Sequence, residues 1–317
     1  MKITLDISKL VEEGKLTPEE AERLKALASH DTGSLAINIL IGFGVVAIAA
    51  GAGALLPSLT TAIVLGLILF AGGCAIVLNR VRQWSVLGHI CLVTGALMFC
   101  GGIIGLGEGS LNSMLGATAA LAVAAIAARS SLLTALAVLA LSACLGARTG
   151  YSHATYSLAI FEPTLTVVLF STLALAAYQI SHRLPADYER IAIMASRTSI
   201  LLVNFGFWVG SLWGDPLFLL RGFKEHDPVA MMKSIVVPDW AFSVVWALAL
   251  VAAGIWAARA NRRWLVNIAA VFGAIHFYTQ WFEKLGATPL SVLLGGLLML
   301  AIALALWSFN KKAAAAA

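Results

Sequence analysis

Charged side chains are scarce in this sequence. Only 12% of its 317 residues are Asp, Glu, Lys or Arg, against roughly 25% in soluble domains. Hydrophobic residues make up 60% of the chain, and the mean hydropathy is +0.91. This composition excludes a soluble globular domain. The net charge of +5 needs no nucleic acid partner to explain it, because the basic residues flank long apolar runs.

Cysteines and catalytic motifs are also few. The four cysteines lie inside apolar runs without CxxC spacing, so they are expected to pack as small hydrophobes rather than form disulfides or bind a metal: Cys74, Cys91, Cys100 and Cys144. The sequence contains no HExxH motif, no Walker motif, no Ser-His-Asp set and no paired intramembrane aspartates. We therefore expect a protein that is not an enzyme and that carries no cofactor.

Long apolar runs dominate what is present. Each is near the ~20 residues that a helix needs to cross a hydrocarbon core of ~30 Å. The sequence predicts an all-α, polytopic transmembrane bundle of about ten spans over residues 35–310. The approximate runs are 35–56, 59–78, 84–106, 111–128, 131–147, 163–180, 191–213, 240–258, 264–282 and 290–309.

The distribution of basic residues orients these runs. Cytoplasmic loops are enriched in Lys and Arg. With the N terminus inside, sixteen of the 21 Lys and Arg residues are cytoplasmic and five lie outside. The pattern predicts that both termini are cytoplasmic.

Residues 1–34 form the one clearly polar segment, and they read as two short helices around a turn at Gly14. Thr17, Pro18 and Glu20 form the capping-box pattern that begins a helix. Apolar residues on both helices predict a cytoplasmic hairpin that docks a protein partner or self-associates through residues 6–28. At the other end, residues 311–317, "KKAAAAA", predict a disordered tail.

A glycine-rich stretch, "GGIIGLGEGSLN", spans residues 101–112. It lacks the lysine and the preceding strand of a phosphate-binding loop. Gly101, Gly105 and Gly109 recur every four residues, a spacing that allows close helix packing in lipid; a solute-lining role is the alternative. A second stripe with this spacing is formed by Gly206, Gly210 and Gly214.

Polar residues interrupt the seventh apolar run. Arg197, Asn204 and Ser211 are seven residues apart and share one helix face. Polar side chains inside spans are costly, so they often mark functional sites. One interpretation is a solute path; the other has Arg197 reaching the cytoplasmic interface while Asn204 bonds a neighbouring helix.

The ninth run carries a second polar stripe. His276, Gln280 and Glu283 share one face near the outer end of the helix. Histidine and glutamate together can relay protons or bind a cation. The alternative is a solvated interfacial belt.

The longest connection spans residues 214–239. It contains "FKEHDP", whose adjacent side chains point in different directions and therefore predict no metal site by themselves. We expect a solvated loop, with apolar residues that would also let it lie on the membrane surface.

Three stretches together suggest a family. The first is "LVEEGKLTPEEAERLKAL", which leads into "ILIGFGVVAIAAGAGALLP". The second is "TGALMFCGGIIGLGEGSLNSMLGATAALAVAAIAARSSLLTALAVLAL", and the third is "FEKLGATPLSVLLGGLLMLAIALALW". In pattern, and over most of the chain, they resemble the bacterial predicted membrane proteins of domain of unknown function 2157. The resemblance implies a bacterial inner-membrane location and no established activity.

Two functional classes follow from the sequence. The favoured one is a non-enzymatic envelope scaffold or assembly component, with the hairpin as docking element and the bundle as anchor. The alternative is a secondary transporter or channel for a small solute, because ten spans can divide into two five-span halves of opposite orientation.

Overall fold

The computed structural model describes residues 10–11, 14, 16–55, 57–79, 84–152, 155–218 and 235–315. These residues are almost wholly helical, as the composition predicts, and one two-stranded β-hairpin interrupts the helices. The chain divides into two compact units, Met1–Ala140 and Leu141–Ala317. The sequence predicts a single bundle over residues 35–310, and it suggests a division into two five-span halves only under the transporter alternative.

The described part of unit 1 contains four long helices and most of a fifth. They are α1 (Pro18–Leu55), α2 (Leu59–Leu78), α3 (Ser85–Leu106), α4 (Leu111–Ala127) and α5 (Ser131–Cys144), whose last residues belong to unit 2. Unit 2 continues with the antiparallel strands β1 (Ala147–Ser152) and β2 (Thr155–Ile160). Its helices are α6 (Pro163–Ser181), α7 (Ala186–Trp213), α8 (Asp239–Arg259), α9 (Arg263–Leu285) and α10 (Pro289–Ala315).

The N-terminal start signals form as the sequence predicts. Gly14 has a φ of +66°, and its N–H donates to the Val11 carbonyl over 3.0 Å. At the start of α1, the Glu20 carboxylate accepts hydrogen bonds of 3.0 Å from the N–H and the hydroxyl of Thr17. The Glu20 N–H donates back to the Thr17 hydroxyl over 3.2 Å. This reciprocal capping box satisfies donors that the first turn of a helix cannot pair internally.

Helix α1 does not stop where the predicted hairpin ends. It runs without a break through residues 34 and 35, so the polar segment and the first apolar run belong to one helix of 38 residues. The C-terminal boundary also differs from the prediction, because α10 extends to Ala315 and makes residues 311–315 helical rather than disordered. Lys and Ala are good helix formers, which favours the extension of α10. Residues 31–34 of α1 are Asp, Thr, Gly and Ser, which are weaker formers, and the helix continues through them because lengthening a nucleated helix costs less than starting a new one.

Among the described residues, five helices are long and apolar enough to cross a membrane: α2, α3, α6, α7 and α8. The predicted count of about ten spans is not supported. Helices α4 and α5 have only 17 and 14 residues, which makes α5 about 21 Å long at 1.5 Å per residue. The apolar parts of α1 and α10, Ile39–Leu55 and Pro289–Ala305, are also short. Polar residues along α9 explain why it is not among the five.

Large apolar side chains cover the outside of these helices. Ile68 of α2 is 61% exposed, and Leu248 of α8 is 66% exposed. Soluble proteins rarely expose such side chains in contiguous patches. The surface is therefore consistent with contact to a lipid bilayer.

The helix pair α2–α3 is joined by glycines spaced seven residues apart. A Cβ on Gly66 would lie 2.8 Å from the Gly95 carbonyl oxygen, and one on Gly73 would lie 2.8 Å from that of Gly88. Both distances are below the ordinary van der Waals range that begins at 3.4 Å. These four residues form the glycine seam, where the two helix backbones touch because no side chains intervene. Close approach of this kind is how helices associate in lipid.

The predicted packing stripe at residues 101–109 is wrong at two of its three positions. A Cβ on Gly101 or on Gly109 would meet nothing within 4 Å, whereas one on Gly105 would meet Leu59 Cδ2 at 2.5 Å. Gly109 instead adopts a φ of +69° in the turn after α3. The spacing of four was present in the sequence, but α2 lies against a different face of α3.

Candidate functional site

The two polar stripes predicted from the sequence meet inside unit 2. Helix α7 presents Asn204 and Ser211, which are 6% and 2% exposed, toward α8 and α9. Helix α9 presents His276 and Gln280 toward the same region. We call these four residues, together with Trp246 of α8, the polar seam.

Asn204 joins α7 to α8. Its Oδ1 accepts a hydrogen bond of 3.0 Å from the Nε1–H of Trp246. Its Nδ2 donates over 2.8 Å to the Ile200 carbonyl, one turn back in α7. Trp246 is only 1% exposed, so its N–H requires a partner within the protein. Both ends of the Asn204 amide are thus hydrogen-bonded to helix groups. This agrees with the interpretation in which Asn204 bonds a neighbouring helix rather than lining a solute path.

Ser211 joins α7 to α9 through its backbone. The Nε2 of Gln280 donates to the Ser211 carbonyl over 3.3 Å, while the Ser211 hydroxyl donates to the Trp208 carbonyl over 2.8 Å. The seam therefore links three helices by neutral hydrogen bonds. Neutral interhelical hydrogen bonds in membrane proteins typically contribute about 0.6 kcal/mol each, with a maximum near ~1.7 kcal/mol.

Aromatic rings enclose the seam. The Trp246 indole is stacked with the Phe207 ring at a centroid distance of 6.4 Å, and it meets the His276 imidazole edge to face at 4.9 Å. Phe242 and Phe272, both 5% exposed, complete the cluster. Such pairs contribute about 0.5–1.5 kcal/mol beyond the area that they bury. The seam is therefore a packed element of the core.

Three polar atoms around this cluster lack a hydrogen-bond partner within the described chain. They are His276 Nδ1, Trp208 Nε1 and Ser243 Oγ, one on each of the three helices. Most buried polar side-chain atoms in proteins are paired. Among the three, only the imidazole can accept or release a proton near neutral pH. His276 is therefore the one seam residue with the chemistry for proton transfer.

The remaining predicted residues lie outside the seam. Glu283 is exposed, and seven residues of helix separate it from His276 by about 10 Å along the axis, so the predicted His–Glu pair does not form. Arg197 is exposed in the N-terminal half of α7, where its guanidinium lies 5.0 Å from the centre of the Trp264 ring. In the described chain, no three His, Cys, Asp or Glu residues are grouped to hold a metal ion.

The glycines predicted to pack α7 lie in close contacts. A Cβ on Gly206 would meet Val167 Cγ2 at 3.1 Å, and one on Gly210 would meet Phe242 Cδ1 at 2.6 Å. Gly214 ends α7 with a φ of +71°, where a Cβ would lie 2.8 Å from the Val237 carbonyl oxygen. This stripe thus brings α6 and α8 against α7 and sets the distance across which Asn204 reaches its partner.

Asp215 is a buried carboxylate that sequence reasoning missed. It is 0% exposed and follows directly after α7. Its Oδ2 accepts from the Thr164 N–H at 2.7 Å, in the first turn of α6, and its Oδ1 accepts from the Leu217 N–H at 2.8 Å. A carboxylate is favourable at a helix N terminus. The signal was the sequence "GDP" after a long helix, since Asp before Pro favours such a turn.

The first and last residues of the predicted 214–239 loop are packed and hydrogen-bonded to each other rather than solvated. Asp215 pairs with Val237 in an antiparallel bridge, and Phe218 is 6% exposed. The "FKEHDP" stretch lies outside the described residues.

Trp246 was also missed as a site residue. The signal was a tryptophan seven residues inside an apolar run rather than at its end, because a buried indole N–H needs an acceptor.

Comparison with known proteins adds no functional information: no family model, curated protein or solved structure matches this chain. The functional conclusion therefore rests on the geometry of its two units.

Proposed function

We propose that this protein is a non-enzymatic scaffold or assembly component of a bacterial inner membrane. In this proposal α1 holds a docking segment away from the bilayer. The continuity of α1 supports it: 38 residues at 1.5 Å each give a helix about 57 Å long, while its apolar part is only Ile39–Leu55. The 21 residues before Ile39 thus extend for about 30 Å on the polar side.

The polar part of α1 is suited to a position in water next to a membrane. It begins with the capping box at Thr17 and carries two acidic residues in its first turn, Glu19 and Glu20. A cap and favourable terminal charges let such a helix form with little tertiary support. The proposed contact for a protein partner or a second copy of the chain is residues 6–28, and the structure describes part of this segment.

The polar seam favours a scaffold over a conduit. Asn204, the central residue of the proposed solute path, has both amide atoms bonded to helix groups. The surrounding rings of Phe207, Phe242 and Phe272 pack on its partner Trp246. A closed aromatic cluster stabilises one arrangement of helices, which is what an anchor requires.

The proposed topology places both termini in the cytoplasm and lets the shorter apolar helices contribute to about ten spans. The distribution of Lys and Arg supports it, while the resemblance to domain of unknown function 2157 supports the inner-membrane location. Reporter fusions test it: a fusion at Glu108 is expected to report the periplasm, and fusions at Ala186 and Asn261 the cytoplasm. A cytoplasmic signal from Glu108 would contradict the proposed topology.

Site-specific photocrosslinking in native membranes tests the docking role. A photoreactive residue at Glu19 is expected to give one discrete crosslinked protein product. The same residue at Asn261, an exposed turn on the same proposed side of the membrane, is expected to give none. Equal crosslinking at both positions would contradict the proposal.

A proline in the middle of α1 gives a sharper version of this test. Ser34→Pro removes a backbone hydrogen bond and kinks the helix, at a cost of ~3 kcal/mol or more. The Glu19 crosslink is expected to disappear with Ser34→Pro and to persist with the control Ser34→Ala. Persistence of the crosslink in the proline variant would show that the straight α1 helix is not needed for docking.

Secondary transport remains a second candidate because of one observation, the unpaired Nδ1 of His276 within the closed cluster. In liposomes that contain the purified protein and a pH-sensitive dye, a proton-coupled transporter would give a flux that His276→Ala abolishes. The scaffold proposal expects the wild type and this variant to match empty liposomes. A flux that depends on His276 would overturn the scaffold proposal in favour of transport.

A further inference from the structure

The arginine-bearing end of unit 2 contains an apolar cleft of about 300 Å³. It lies among α6, α7, α8 and the start of α9, and its walls include Leu175, Ile200, Val203 and Leu265. Its volume is at the lower limit of ligand-sized pockets, which occupy about 300–1,000 Å³. We call it the arginine-end cleft.

Aromatic side chains border the arginine-end cleft. Tyr178, Trp256 and Trp264 all line it, and Trp256 is 52% exposed on the outer surface of α8. Tryptophan and tyrosine concentrate at the level of lipid headgroups. The cleft opens beside Leu175, which is 64% exposed on the apolar surface of α6. The cleft is thus continuous with the surface that contacts lipid acyl chains.

Positive charge lies at the same end of the cleft. Arg262 is one of its lining residues and directly precedes α9. The Arg197 guanidinium lies 5.0 Å from the centre of the Trp264 ring, another lining residue. No side chain caps the first turn of α9, so its backbone N–H groups add to the positive potential there. An apolar cleft with a cationic border is complementary to an amphiphile with an anionic head.

We propose that the arginine-end cleft binds one anionic phospholipid from the adjacent leaflet. One acyl chain occupies the apolar cleft, and the phosphate lies between Arg262 and Arg197. Arginine suits this role because its planar donors match phosphate oxygens. This inference is independent of the docking role of α1, since it concerns unit 2 alone.

A second apolar cleft, in unit 1, provides an internal comparison. It has about 380 Å³ and is lined by residues of α2, α3 and α4, among them Leu67, Phe70 and Phe99. Its lining includes no basic residue. If apolar volume alone retained lipid, both clefts would retain phospholipids without regard to headgroup charge. Comparing the two clefts therefore distinguishes binding of an acyl chain from recognition of an anionic headgroup.

Native mass spectrometry of the full chain tests the proposal. The protein is released from micelles that contain equal amounts of phosphatidylglycerol and phosphatidylcholine with identical acyl chains. The wild type is expected to retain one phosphatidylglycerol preferentially. Arg262→Gln is expected to lower that preference about fivefold, the effect of one basic residue near an anionic membrane surface. Arg190→Gln, which removes the same charge from an exposed arginine paired with Asp187, is expected to leave it unchanged.

A matched pair of cleft-filling variants tests where the acyl chain lies. Leu175→Trp is expected to abolish retention of phosphatidylglycerol, whereas Leu67→Trp, in the cleft of unit 1, is expected to retain it. Leu67 is 49% exposed and Leu175 is 64% exposed, so both variants are expected to fold. Equal retention of the two lipids by the wild type, or an Arg262→Gln variant with undiminished preference, would overturn the proposal. Retention by Leu175→Trp equal to that of the wild type would also overturn it.

Discussion

Substituting Gly95 with alanine is the most direct test of the glycine seam. The new Cβ would lie 2.6 Å from the Gly66 carbonyl oxygen, where ordinary contact begins at 3.4 Å. The neighbour is backbone, so it cannot rotate away as a side chain would. The backbone N of Phe70 lies closer still to the new Cβ, so helices α2 and α3 must separate by about 1 Å at this point to remove the overlap.

The size of the expected effect follows from that separation. A gap of about 0.5–1 Å already removes a quarter to a half of the van der Waals attraction between facing atoms. Overpacking of this kind typically costs about 1–3 kcal/mol, and the higher helix propensity of alanine returns up to ~1 kcal/mol. We expect Gly95→Ala to lower the free energy of unfolding by about 1–2 kcal/mol.

Gly101 offers a matched control in the same helix. A Cβ there would meet nothing within 4 Å, so Gly101→Ala is expected to be neutral or to stabilise α3 by up to ~1 kcal/mol. Equilibrium unfolding in mixed micelles, followed by circular dichroism, measures both variants. Because Gly66 and Gly95 face each other, their double alanine variant is expected to lose less than the sum of the single losses. A Gly95→Ala variant as stable as Gly101→Ala would refute the assignment of the seam.

Three further predictions concern individual hydrogen bonds. Asn204→Leu leaves the buried Trp246 N–H without its acceptor, so a loss of about 1–2 kcal/mol in unfolding free energy is expected. Asp215→Ala leaves two backbone donors unpaired, the Thr164 N–H at the start of α6 and the Leu217 N–H after α7, and is expected to cost about 1–3 kcal/mol by the same assay. The hydrogen bonds from Thr17 lower the pKa of Glu20. The ionised Glu20 carboxylate therefore stabilises the first turn of α1 above the ordinary carboxyl pKa, and this stabilisation disappears as the pH falls through the lowered pKa. The protection factors of amides in the first turn of α1, that is, their exchange rates relative to the intrinsic rates at each pH, are expected to fall over that acidic range, and Glu20→Gln is expected to remove this fall.

Each of these predictions has its own contrary outcome. Adding Trp246→Phe to Asn204→Leu is expected to recover part of the loss, because removing both partners leaves no orphaned donor; a fully additive double variant would argue against the bond. Asp215→Asn keeps one acceptor oxygen and is expected to lose less than Asp215→Ala. Protection factors in the first turn of α1 that do not change with pH in the wild type would contradict the capping box.

The helical class and the N-terminal capping box were predictable because they depend on neighbours in the chain. A run of some twenty apolar residues can satisfy its backbone in lipid only by forming a helix. Thr17 and Glu20 are three residues apart, so their hydrogen bonds form wherever the first turn forms. In both cases the interaction that decides the structure lies within a few residues of sequence.

The candidate site was predictable only in part. The seven-residue spacing of Asn204 and Ser211 indicated that they share one face of α7, and both are buried. The spacing of His276 and Gln280 indicated one face of α9, and both are half-buried. That these faces meet, and that Trp246 rather than another polar residue pairs with Asn204, depends on residues 42 positions apart. Helical periodicity states which residues share a face, but it does not identify the helix that covers it.

The contrast between the two glycine patterns of α3 gives the physical reason. Gly101, Gly105 and Gly109 recur every four residues, which is one spacing typical of helix packing. Gly88 and Gly95 are seven residues apart, which also places them on one face of the helix. The sequence by itself determined that α3 is an apolar helix with glycines along its length. Only the tertiary structure decided which of these glycines touch a partner helix. Lipid solvates every apolar face of a helix equally well, so the face that packs is the one on which two backbones fit closely together. The same dependence on distant contacts placed Asp215 at the start of α6 and divided the chain into two units.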